Sequence, residues 1–312
     1  MLDVLNITGT LFAVVAIGYV LAWRGIFDRT ALQVMGRFVV TIALPALIFR
    51  TLAERDLAEI VMPTYLVAYA IGGLLIIALG YVLARAALGQ SPVQATFQAM
   101  GMSCPNSGYV GYPLLLLAYP SLATQVLAMN FVVENLILLP LLLTLAERSA
   151  GTSSGLRLFA ETAKRVLLNP ILLALLGGLA VSLSGLKLPY VVSEPLRMLS
   201  LTSAGLALVV IGGTLYGLPL RTVRLPVIWA VVGKLLIMPL AVLAGLVVAR
   251  ALGLGPLSDG LRAGLIITAA LPPIAIYPLL AQRFGQEEQA ALVMLITIPA
   301  SFVTLSALLL ML

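Results

Sequence analysis

The sequence predicts an all-α integral membrane protein of ten spans, and three observations predict it. Of 312 residues, 62% are hydrophobic and 10% charged, whereas a soluble domain has roughly 45–50% apolar and about 25% charged residues. Mean hydropathy is +1.13, and apolar runs of about 20 residues, the length that crosses a bilayer, recur along the whole chain. Proline and glycine interrupt those runs at matching places in the two halves. A core in water could not hide this much apolar surface, so one polytopic domain in lipid is expected, with no soluble module.

The spans are expected at Val4–Trp23, Ala31–Leu52, Pro63–Leu88, Pro92–Tyr119 and Leu122–Glu147, then Leu167–Ser184, Leu199–Gly217, Pro226–Arg250, Asp259–Phe284 and Glu288–Leu312. The seventh is preceded by PYVVSEPLRML, which reads as an interfacial flank. The N-terminal MLDVLN carries an acid and no basic residue, so it reads as an uncleaved first span rather than a signal peptide. Loops after the odd-numbered spans carry ten Lys and Arg, against six on the other side. Cytoplasmic loops hold the excess of these cations, which places both termini outside the cell's inner (plasma) membrane.

One linker-like segment, Arg148–Arg157, is rich in Gly and Ser and therefore flexible. The FAETAKRV that follows is amphipathic enough to lie at the interface. The linker divides the chain into a first repeat, 1–147, and a second, 158–312. Five spans per half is an odd number, so the second half enters the membrane from the opposite side. If the halves are related, they form inverted repeats. Tyr112-Pro113-Leu114-Leu115 recurs as Tyr277-Pro278-Leu279-Leu280, Pro140 matches Pro299, and Pro45 falls opposite Gly205 at similar separations.

Several function classes are excluded or disfavoured. The chain has no histidine, which removes His-ligated zinc, His general bases and Ser–His dyads. No acidic pair lies within a span. An enzyme is therefore not expected. The net charge of +6 has no accompanying basic patch with interleaved aromatics, so nucleic acid is not a partner; the lipid surface is. The single cysteine, Cys104, has no mate for an internal disulfide and reads as a small packing residue.

The candidate site lies at the breaks. The fourth span contains SCPNSGYVGYPLL (Ser103–Leu115) and the ninth AALPPIAIYP (Ala269–Pro278). Pro105, Pro272 and Pro273 lack an N–H and clash with the preceding turn; Gly108 and Gly111 allow unusual backbone angles. A broken helix exposes N–H groups at its new start, which carries about half a positive charge. Two such starts aimed at one point attract an anion without a buried cation. Asn106 and Ser107 add polar side chains, and backbone from Pro273 through Ile274 to Ala275 would line the same point. Interrupted spans in corresponding positions are the best sequence pointer to a carrier's binding site. Aquaporin-like pores also use paired half-helices, so a channel or facilitator at the same site is the alternative. Thr41, one turn before Pro45, is a further candidate on the second span.

Of twelve acids, only Glu134 falls mid-span, between Asn130 and Asn135; Asn130, four residues back, shares its helix face. An ionisable group inside a span is a functional hypothesis by default. Glu134 is a candidate for carrying a coupling proton, for ligating Na⁺ with amide and backbone oxygens, or for a structural pair with Lys234, the one lysine deep in a span. No cofactor is expected beyond such an H⁺ or Na⁺.

CPNSGYVGYPLL, TAALPPIAIYPLLAQRFG and, more weakly, IALPALIF in the second span resemble the auxin efflux carrier family, which includes plant PIN-type carriers and bacterial carriers of malonate or malate type. The resemblance covers nearly the whole chain. It implies two inverted five-helix repeats, similar to bile-acid sodium symporters, with the fourth and ninth spans crossing at their prolines. It also implies a scaffold, 4–52 and 167–217, and a transport domain, 63–147 and 226–312, that moves as an elevator within a homodimer. Pro105 and Asn106 match the family's Pro-Asn at the crossover, where the asparagine meets the substrate carboxylate, and Pro272 matches the crossover proline of the ninth span. The short central loop departs from the plant proteins. So does Pro273, where those proteins carry glutamine. With no indole pocket in evidence, the expected substrate is a small mono- or dicarboxylate rather than auxin.

Overall fold

The computed structural model describes residues 2–54, 61–151, 168–217 and 223–312. Among these residues the backbone is helical and forms no β-strand. In chain order the helices are α1 (Leu2–Trp23), α2 (Arg29–Ala53), α3 (Pro63–Ala86), α4 (Pro92–Ser103), α5 (Ser107–Ala118), α6 (Ala123–Ser149), α7 (Pro170–Ser184), α8 (Tyr190–Leu215), α9 (Leu225–Ala251), α10 (Asp259–Ala269), α11 (Tyr277–Gln282) and α12 (Glu287–Met311). Seven of them, α1, α2, α3, α6, α8, α9 and α12, are long and apolar enough to cross a membrane. The fourth and ninth expected spans are each split in two, as α4 with α5 and α10 with α11. The sixth is the shorter α7.

Local chemistry explains the ends. Asp28 accepts from Ala31 N–H at 2.6 Å at the start of α2, and Asn169 accepts from Ile171 N–H at 2.9 Å at the start of α7. Ser91 and Gln94 form a reciprocal capping box on α4. Each satisfies an N–H that the helix itself cannot. The flank before the seventh span is part of the same helix, since α8 runs unbroken from Tyr190. Pro195 lies inside it, but the carbonyl it leaves unpaired is that of Val191, in the first turn, where the residue is 81% exposed.

Four helices carry a five-residue π-turn: Val39–Ala43 in α2, Ser107–Gly111 in α5, Glu134–Leu138 in α6 and Gly233–Ile237 in α9. Each is followed two residues later by a proline, namely Pro45, Pro113, Pro140 and Pro239. A proline ring collides with the carbonyl four residues back. Widening the preceding turn removes the collision, and the helix continues.

The chain forms two compact units. The first comprises Met1–Met62, Gly108–Phe131 and Leu167–Gly217; the second comprises Pro63–Ser107, Val132–Val166 and Leu218–Leu312. In the first unit α1 packs along α8 and α2 along α7. A Cβ built on Gly212 would lie 1.8 Å from the Val15 carbonyl oxygen, so α8 touches α1 backbone to backbone. In the second unit α3 packs along α9 and α4. The expected linker and amphipathic segment fall mostly at 152–167, outside the described residues, as do Arg55, Arg157, Lys164, Arg165 and Arg221.

Candidate functional site

The second unit brings the two breaks together. The residue before a proline is pushed towards extended backbone, and Cys104, before Pro105, has φ −92° and ψ 104°. Pro105 and Pro273 then face each other as an isolated antiparallel bridge. Neither proline can donate, so the bonds come from their neighbours. Asn106 N–H donates to Pro272 O at 2.8 Å, and Ile274 N–H donates to Cys104 O at 2.9 Å. Backbone groups orphaned by one break are thereby satisfied by the other, which removes much of the penalty for irregular backbone in an apolar surrounding. Asn106 and Ser107 are 3% and 2% exposed. Ala275 continues the non-helical segment that ends at α11.

Three contacts fix the frame. The Tyr277 hydroxyl, fully buried at the start of α11, donates to Phe97 O in α4 at 2.8 Å. Gln98 Nε2 in α4 donates to Pro226 O in α9 at 2.9 Å, and Gln289 Nε2 in α12 donates to Gln98 Oε1 at 2.9 Å.

Beside the breaks lie the two ionisable groups. Glu134 is 2% exposed and opens the π-turn of α6. Its Oε1 accepts from Ser107 Oγ at 2.5 Å and from the Tyr69 hydroxyl at 2.8 Å. Ser107 thus joins the residues expected at the substrate to the one expected at the coupling ion. Lys234 is fully buried in the π-turn of α9, and its Nζ donates to Ala269 O at 2.8 Å. Ala269 is the last residue of α10, where a helix end carries partial negative charge. Glu134 and Lys234 form no ion pair with each other; each ends on a different partner.

Other expected residues lie elsewhere. Gly108 and Gly111 begin the part of the chain assigned to the first unit. A Cβ on Gly108 would meet Leu44 Cδ1 at 2.9 Å and Phe131 at 3.2 Å, so that glycine serves packing. Thr41 is exposed, also in the first unit, and its hydroxyl donates to Arg37 O of its own helix at 2.7 Å. Asn130 is 1% exposed within the first unit, and Asn135, half-buried, follows Glu134 in the second. Tyr69 was not anticipated. The signal available was two tyrosines one turn apart, Tyr65 and Tyr69, in an otherwise apolar helix, since a buried phenol needs a partner for its hydroxyl.

Long apolar helices, two of them broken and bonded through their breaks beside a buried acid and a buried lysine, define a membrane transport protein. Residues 8–309 match the family model described as membrane transport protein, and the chain belongs to this family, that of the auxin efflux carriers. It is also similar to a protein of Rhizobium meliloti (strain 1021) named "Putative malonate transporter". The two are 25% identical over 317 residues, which cover 99% of this chain and 96% of that one.

Proposed function

We propose that the protein is a secondary carrier of small organic anions, mono- or dicarboxylates, that binds its cargo where the two broken spans meet. The observation that carries this reading is the Pro105–Pro273 bridge. It sets Asn106 and Ser107 beside the segment Pro272–Ala275, in a site without a full positive charge dedicated to the anion. Such a site binds a carboxylate loosely enough to release it. The name of the Rhizobium protein supports a dicarboxylate such as malonate as cargo. Glu134, held by Ser107 and Tyr69, carries the coupling proton or binds the coupling Na⁺ with Asn135, while Lys234 neutralises the end of α10.

The same reading assigns alternating access to an elevator movement in a homodimer, with scaffold and transport parts drawn from the two halves as inverted repeats. The fold supports this in two ways. The first, second, sixth and seventh spans all lie in one unit. The pairing of α1 with α8 has its counterpart, on exchanging the halves, in the pairing of α2 with α7.

The test is uptake of labelled malonate, malate and lactate into proteoliposomes at varied pH and Na⁺. Asn106→Ala is expected to weaken uptake at least tenfold while the protein still folds and inserts. Unchanged affinity in that variant would remove Asn106 from the site. Saturable flux that is accelerated by substrate on the far side marks a carrier; single-channel conductance would mark a pore.

A further inference from the structure

We propose that the second unit holds a second small-molecule site, at the far end of α4 from the breaks, for a carboxylate that also bears an amino or hydroxyl group. The two places are separated by the length of α4, roughly 18 Å at 1.5 Å per residue. The proposal does not depend on what binds at the breaks.

Three helix starts converge there on one cavity of about 390 Å³, within the roughly 300–1,000 Å³ typical of small-molecule sites. Its polar lining comes from Gln90 and Gln94 at the start of α4, Arg224 at the start of α9, and Gln286, Glu288 and Gln289 at the start of α12. The start of α4 is closed by its capping box, but neither Arg224 nor Gln286 caps its helix with a side-chain hydrogen bond. The starts of α9 and α12 still carry partial positive charge, although at α9 Pro226 has no N–H and that of Val227 donates to Arg224 O. The exposed Arg224 guanidinium adds a full charge and a planar fork suited to a carboxylate.

Acceptors lie on the same lining. Gln90 is 6% exposed, and its buried Oε1 has no hydrogen-bond partner among the described residues. An acceptor in that position calls for a donor. Glu288, in the first turn of α12, adds a carboxylate to the lining. Gln289 is held in place through its bond to Gln98. The lining thus offers the Arg224 guanidinium to a carboxylate and the Gln90 acceptor to an ammonium or hydroxyl. A plain dicarboxylate satisfies the first and conflicts with the second. A ligand fitting both would tie the starts of α4, α9 and α12 together.

The test uses the full chain purified in detergent, with L-malate as hydroxy acid, L-aspartate as amino acid and malonate as the acid with neither group. Thermal unfolding and equilibrium dialysis are measured for the wild type and Asn106→Ala, and for Arg224→Gln and Gln90→Met each combined with Asn106→Ala, so that cargo held at the breaks is removed from the comparison. In the Asn106→Ala background L-malate or L-aspartate is expected to raise the unfolding temperature, and whichever does so names the ligand class. That binding should weaken at least tenfold in Arg224→Gln and Gln90→Met. Without ligand, the Gln90→Met combination should unfold at or above the temperature of Asn106→Ala, because the unpartnered acceptor is gone. The proposal is overturned if neither acid binds Asn106→Ala, or if malonate binds that variant as well as they do. It is equally overturned if binding survives in Arg224→Gln and Gln90→Met, or if Gln90→Met is less stable without ligand.

Discussion

The contact between α3 and α9 makes Gly245→Ala a sharp test of the packing. A Cβ at Gly245 would lie 2.2 Å from the Ala68 carbonyl oxygen and 3.0 Å from Gly72 N. Ordinary contact begins near 3.4 Å, so the shortfall is 1.2 Å (3.4 − 2.2) against main chain. No rotamer change relieves it; the helices must part. Overpacking of this kind costs about 1–3 kcal/mol, and rigid backbone on both sides favours the upper half of that range. Alanine returns up to about 1 kcal/mol through its better helix propensity. The net expectation is a loss of about 1–2 kcal/mol, or roughly 4 °C in unfolding temperature on the scale of 150–250-residue domains. Fluorescence of Trp23 and Trp229 during a heat ramp measures it. Gly205→Ala is the control, because nothing lies within 4 Å of a Cβ at that helical position, and there the propensity gain stands alone. If Gly245→Ala melts at or above the wild type, the close approach of α3 and α9 is wrong.

Three more expectations concern the polar groups. Tyr69→Phe and Ser107→Ala each remove a hydrogen bond to Glu134, worth about 1.5–3 kcal/mol when the acceptor is charged; each should shift the half-maximal pH or Na⁺ concentration for uptake at least tenfold, and an unshifted profile would detach Glu134 from coupling. Glu134→Gln should leave flux independent of pH and Na⁺ or abolish it; retained dependence on both refutes its role. Tyr277→Phe removes the buried bond to Phe97 O, which keeps its bond within α4, at a cost of about 0.5–1.5 kcal/mol; this should lower the unfolding temperature by a few degrees, and an unchanged melt would show that the α4–α11 contact is dispensable.

What the sequence made legible was local. Seven membrane-length helices among the described residues were legible as apolar runs, and a run can be read without knowing its neighbours. The breaks were legible because Pro105, Pro272 and Pro273 cannot belong to an undisturbed helix. Glu134 stood out as an acid in an apolar run, and Lys234 likewise. Their partners were harder to read. Lys234 ends on a backbone carbonyl, Ala269 O, and backbone has no residue signature. Tyr69 looked like one more aromatic core residue, because nothing in its own helix announces the carboxylate that reaches it from α6. Pro45 and Pro140 read only as marks of a repeat, and Pro239 did not stand out. Their π-turns depend on which neighbouring turn yields, and that is decided by packing. Gln90 and Arg224 read as loop residues until three distant helix starts enclosed them.

The Pro105–Pro273 bridge also limits how the protein can evolve. Substitutions that straightened the fourth span would withdraw the carbonyl of Cys104 and the N–H of Asn106 from their bonds. The Ile274 N–H and the Pro272 carbonyl would then lose their partners. Repairing one interruption therefore damages the other, and reverting both requires several simultaneous changes. The irregularity persists as a jointly inherited pair, guarded by its own mutual dependence.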